Sequence, residues 1–140
     1  MVTLEVWYNQ EPDNDHADGD PAILVSSAAE LDALIAQVQA DTKDVPVPSM
    51  VECSVAGDPK QGVFDMGIGQ DRGFVVFMTP EAVQTQGDGD PAEYVTYDYM
   101  AHVREIPAGC EVAMDEVRRV ARHFLETGSV PAGLASAPSV

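Results

Sequence analysis

Between Met50 and Tyr99 the chain sets out strand-length segments in succession, with no helical periodicity between them, and this constrains the fold more than any other feature. Met50 to Val55, Val63 to Ile68 and Phe74 to Met78 are β-rich runs separated by Gly57-Asp58-Pro59-Lys60-Gln61-Gly62 and Gln70-Asp71-Arg72-Gly73. Linkers of that length and composition join antiparallel neighbours. A further run, Tyr94 to Tyr99, places tyrosines at 97 and 99 around Asp98. A doubly wound α/β chain would alternate its strands with helices, and this one does not. The expected class is α+β, an antiparallel sheet of about five to seven strands with two amphipathic helices packed on it.

The flanking segments supply those helices. Ser27-Ala28-Ala29-Glu30 has capping-box spacing, and Leu31, Leu34, Ile35 and Val38 follow on one helical face. This helix should fray near Asp41 and stop before Pro46 and Pro48. A second runs from about Asp115 to Thr127, with Val117, Val120, Ala121, Phe124 and Leu125 as its apolar stripe and Gly128 as its natural stop. Upstream, Leu4 to Tyr8 alternates as a strand, and Ala22 to Val25 reads as a short buried one. At 140 residues the chain is expected to form a single domain over residues 1–128, with 129–140 as a loose, aperiodic tail.

Charge narrows the function. Twenty-four acidic residues against seven basic ones give a net charge of −17. That excludes a basic stripe for nucleic acid and docking on anionic membranes. A cationic protein is the complementary partner, although the same surplus also serves solubility. The N-terminus has no basic, apolar leader, and Phe74 to Met78 is far too short to cross a bilayer, so a cytoplasmic protein is expected. In that setting Cys53 and Cys110 should be reduced, buried thiols.

Chemical motifs are wanting. The acidic loop Glu11 to Pro21 suggests calcium, but a register starting at Asp13 puts Asp18 where the turn glycine belongs. A start at Asn14 puts Val25 where the bidentate glutamate must sit. Cys53 and Cys110 lack the paired spacing of a zinc site, and in Gly67-Ile68-Gly69-Gln70-Asp71-Arg72 an arginine replaces the third glycine of a dinucleotide loop. No catalytic residue, metal ligand or cofactor is assigned, and no enzyme is expected. A weaker alternative is a small ligand-binding protein or enzyme with a pocket around Tyr97, Asp98 and His102. Another is an acidic binding module or nucleic-acid mimic for some other protein. Arg118, Arg119 and Arg122 gather three of the seven basic residues on the second helix, within reach of Glu116 and Glu126.

Asp18-Gly19-Asp20-Pro21-Ala22 recurs as Asp88-Gly89-Asp90-Pro91-Ala92, each time just before an expected strand, as a turn that suits the start of a strand would.

Several segments together resemble a known family. They are Ser54-Val55-Ala56-Gly57-Asp58-Pro59, Gly67-Ile68-Gly69 with Arg72-Gly73-Phe74-Val75, Gly87-Asp88-Gly89-Asp90-Pro91 leading to Val95-Thr96-Tyr97-Asp98-Tyr99, and Glu105-Ile106-Pro107 leading to Val117-Arg118-Arg119. In this order they are similar to small actinobacterial immunity proteins of family one (Imm family 1) of bacterial polymorphic toxin systems. The resemblance spans nearly everything from Leu4 to Gly128. It implies a cognate inhibitor of a secreted toxin, often of the deaminase superfamily, binding the toxin's catalytic domain. An acidic protein can occupy the basic cleft such a toxin needs. The candidate contacts are Asp13, Asp15, Asp18 and Asp20 in the acidic loop and Asp88, Asp90 and Glu93 in the second acidic turn. Trp7, Tyr97 and Tyr99 are candidate anchors where exposed.

Overall fold

The computed structural model describes residues 1–8, 22–58, 60–99 and 102–137. Its strands are β1 (Leu4–Trp7), β2 (Ile23–Val25), β3 (Ser49–Val55), β4 (Val63–Ile68), β5 (Arg72–Thr79), β6 (Val83–Gln84), β7 (Tyr94–Tyr99), β8 (His102–Pro107), β9 (Val112–Ala113) and β10 (Ala135–Ser136). Its helices are α1 (Ala28–Thr42) and α2 (Met114–Thr127).

The class is α+β, as expected. Neighbours run β10-β6-β5-β4-β3-β1-β2, with β9 on β5 and the β7–β8 hairpin attached to β3. The ladders are antiparallel apart from the bridge between Ser49 and Asp98, where β7 meets β3 in parallel. Among the described residues there are ten strands, more than the sequence pattern suggests. Four were not anticipated: β6, β9 and β10, each two residues long and too short to carry a period, and the six-residue β8, whose burial does not alternate along its length.

Local chemistry accounts for both helices. The Ser27 Oγ accepts from the Glu30 amide at 3.1 Å, while the Glu30 carboxylate reaches back to the Ser26 amide at 2.8 Å. The reciprocal cap therefore forms, with its second arm one residue earlier than the usual box. Leu31, Leu34, Ile35 and Val38 are all buried. In α2 the whole expected stripe is buried together with Met114. Gly128 ends it in the left-handed region at φ 71°, and its amide donates to the Phe124 carbonyl at 2.7 Å.

Both helices pack on one face of the sheet. The register aligns Val6, Cys53, Phe64 and Phe77 in a row across four strands, and all four are buried. Phe124 of α2 meets Phe64 and Phe77 there, each with centroids 5.5 Å apart. Each such ring removes enough apolar surface from water to contribute about 1.5–3 kcal/mol. The opposite face is covered at one end by the β7–β8 hairpin, which closes a second, smaller core of Met50, Phe74, Tyr97 and Cys110. Cys53 and Cys110 are buried and unbridged, as expected.

Two expectations are corrected. Ala22 to Val25 was to be a buried strand, but β2 is the last strand on the sheet path, with Ile23 41% and Leu24 58% exposed. Three apolar residues in a row carry no period that would separate an edge from a centre. Residues 129–140 were to be a loose tail, yet their described part is tied down. Pro131 is buried, Val130 and Leu134 pack on the main core, and β10 pairs with β6. Among the described residues no helix is long and apolar enough to cross a membrane.

Candidate functional site

The expected contacts scatter. Asp13, Asp15, Asp18 and Asp20 lie outside the described residues. Asp88, Asp90 and Glu93 are exposed on the loop between β6 and β7. There the Asp90 carboxylate accepts from the Ala92 amide at 2.9 Å, and the Glu93 amide donates to the Asp90 carbonyl at 3.0 Å. The repeated motif thus builds a tight turn in its second copy. Beside it Gln84, Gly89, Tyr94 and Gly109 help to line a shallow groove of about 300 Å³, with Tyr94 62% exposed.

Tyr97 is only 1% exposed, so its ring belongs to the core and does not serve as an anchor. Its hydroxyl donates to the Glu111 carboxylate at 2.6 Å. Burial, and then that bond, push its pKa well up. The pocket imagined around Tyr97, Asp98 and His102 does not assemble. Successive strand residues point to opposite faces, so Asp98 turns away from Tyr97, and His102 is exposed opposite Tyr99.

Trp7 and Tyr99 come together with residues that the sequence did not single out. On the sheet face away from the helices, the register puts Trp7 beside Glu52, Glu52 beside Asp65 and Asp65 beside Val76. Adjacent strands lie about 4.8 Å apart, so this row spans four strands in roughly 14 Å. The next row carries Leu24, Glu5, Ser54 and Val63. Tyr99, at the end of β7, lies near enough to Glu52 and Asp65 for both carboxylates to act on its hydroxyl, and the Arg104 guanidinium of β8 lies 4.9 Å from the Tyr99 ring centre. Trp7, Glu52, Asp65 and Tyr99 are half-buried. Tyr94 and the acidic turn before it lie at the far end of β7, about 16 Å along the strand.

The electrostatics of this face are unusual. Asp65 is pushed up to about 7, chiefly by burial and then by the Glu52 charge, with Arg104 pulling the other way. One of its carboxyl oxygens, Oδ1, is buried without a hydrogen-bond partner. Tyr99 is pushed up to about 12 by burial and then by the nearby Glu52 and Asp65 carboxylates, against Arg104. Nothing in sequence periodicity flags Asp65. An acidic residue inside an apolar strand was its one visible signal.

On α2, Arg119 forks onto Glu116 with contacts of 2.6 and 2.8 Å, as the spacing allowed. Arg122 instead crosses to Asp32 of α1 at 3.2 Å. The Cys53 and Cys110 thiols are pushed up, in each case first by burial, Cys110 to about 12, which keeps both unreactive. Among the described residues no group of three or more His, Cys, Asp or Glu could hold a metal ion.

A family model described as "Immunity protein Imm1" matches residues 19–138 of the chain. No curated protein matches it.

Proposed function

The chain belongs to the Imm1 immunity protein family, whose membership implies a cognate toxin as partner, and from that premise we propose that it neutralises a secreted deaminase-superfamily toxin by covering the toxin's basic substrate cleft. The observation that carries this reading is the net charge of −17. A toxin that works on nucleic acid must grip a polyanion with Lys and Arg, and it holds the reacting base in a pocket beside an activated water. Carboxylates placed where phosphates would lie compete for those cations and block the pocket without turnover. Opposite fields also speed the encounter, which matters when free toxin is lethal. The protein would act in the cytoplasm of the producing cell. The loop carboxylates Asp13, Asp15, Asp18 and Asp20 and the turn carboxylates Asp88, Asp90 and Glu93 contribute to the attracting field.

Growth rescue tests this reading. Co-expression with the toxin encoded beside its gene should restore growth, and a purified mixture should form a complex at micromolar concentration in low salt. Neutralising Asp13, Asp15, Asp18 and Asp20 together should slow association. Failure of any complex to form removes the inhibitor reading.

A further inference from the structure

The acidic sheet face holds an arrangement that the fold does not itself need. Glu5, Glu52 and Asp65 occupy two adjoining rows of one face, flanked by the Trp7 and Tyr99 side chains and bordered by the exposed Leu24 of the edge strand. Asp65 Oδ1 has neither a partner nor solvent. A polar atom left in that state costs folding free energy, so a carboxylate is a poor choice here for stability alone. The face also shows which chemistry suits it, because Arg104 already sets its guanidinium against the Tyr99 ring. One guanidinium against three carboxylates leaves the face negative and able to take another.

We propose that this face is the docking surface for the toxin and that the Glu52–Asp65 pair, walled by Trp7 and Tyr99, seats an arginine side chain of the partner. The proposal rests on the toxin-binding reading and gives it a contact face. A guanidinium fits better than an ammonium because it is planar: it can fork onto two carboxylates while stacking on an aromatic ring. Tyrosine, tryptophan and arginine are also the residues that dominate binding at interface centres. The groups that face Asp65 are Glu52 from β3, Tyr99 from β7 and Arg104 from β8, with Val76 neutral on β5. With Asp65 near 7 in the free protein, an arriving cation favours its ionised form and displaces a proton. Binding should therefore be about tenfold weaker at pH 6 than at pH 8.

The experiment is isothermal titration of the full chain with the catalytic domain of the neighbouring toxin, its active site disabled, at fixed ionic strength. Asp65→Asn and Glu52→Gln should each weaken binding about 30-fold or more. Asp88→Asn with Asp90→Asn, far along the hairpin, should change it less than about threefold. An unlowered thermal midpoint for Asp65→Asn shows that its loss of binding is not a loss of fold. The pH dependence should vanish in Asp65→Asn and survive His102→Gln, which removes the imidazole opposite Tyr99. If the wild-type chain binds and the Asp65 and Glu52 variants bind as tightly, or if all the carboxylate variants lose affinity equally, this face is wrong and the function stands. If the wild-type chain does not bind, the function reading falls and takes the face with it.

Discussion

Tyr97 stands edge-on to Phe74, ring centroids 4.9 Å apart and planes at 90°, and both rings close over Gly67, the next-to-last residue of β4. A methyl group at Gly67 would run into the Phe74 ring and approach Tyr97 Cε2 to 2.9 Å. The glycine is therefore required by the second core and not by a turn. Gly67→Ala should destabilise the protein by about 1–3 kcal/mol, read as a lower urea midpoint at unchanged slope.

The same tyrosine ties the hairpin to the end of the 3-10 turn at Ala108–Cys110 through its bond to Glu111. Tyr97→Phe keeps the ring packing and strands the Glu111 carboxylate. A loss of about 1–2 kcal/mol is expected in chemical unfolding, with near-ultraviolet dichroism otherwise retained.

Asp65 gives a pH signature with a definite sign. Its folded value, about 7, lies above the ordinary 3.8, so the native state binds the extra proton. Stability from this group is fully present below about pH 4 and is lost as pH rises through 7. The swing is roughly 2–4 kcal/mol. Unfolding at pH 5 and pH 8 should show the wild type weakening with pH more than Asp65→Asn, and the variant should be the more stable of the two at pH 8. A variant that gains stability and loses toxin binding would mark a residue kept for function.

Ser27→Ala removes the oxygen that accepts from the Glu30 amide at the start of α1. The expected cost is about 1 kcal/mol, visible in thermal unfolding, with toxin binding unchanged under the proposed docking face, since α1 packs on the other side of the sheet.

A chain ended at Gly128 would lose β10 and the packing of Val130, Pro131 and Leu134. Roughly 1–3 kcal/mol should go with it, measured by urea unfolding of the truncated form. An unchanged midpoint would mean that the pairing of β10 with β6 adds nothing.

The parts of this fold governed by near neighbours are legible in the chain itself. Capping spacing and an i, i+3, i+4, i+7 stripe locate α1, Gly128 ends α2, and alternation with turn residues brackets β4 and β7 at their observed bounds. These follow from forces acting within about one turn of helix or one hairpin, so the order of residues is enough. The order of turn and strand segments likewise carries the family resemblance.

What needed the folded molecule is whatever depends on register between distant strands. Trp7, Glu52 and Asp65 come from three separate segments, and they align only because β1 and β4 pair on either side of β3. Sliding any of these strands by one residue would send its side chains to the other face of the sheet, and no local pattern records that choice. Tyr97 and Tyr99 share a strand and a face, yet one fills a core and the other meets the acidic row, because the hairpin covers only one end of the sheet. The burial that lifts Asp65 was set in the same way, by tertiary packing around a carboxyl whose own sequence neighbours are silent about it.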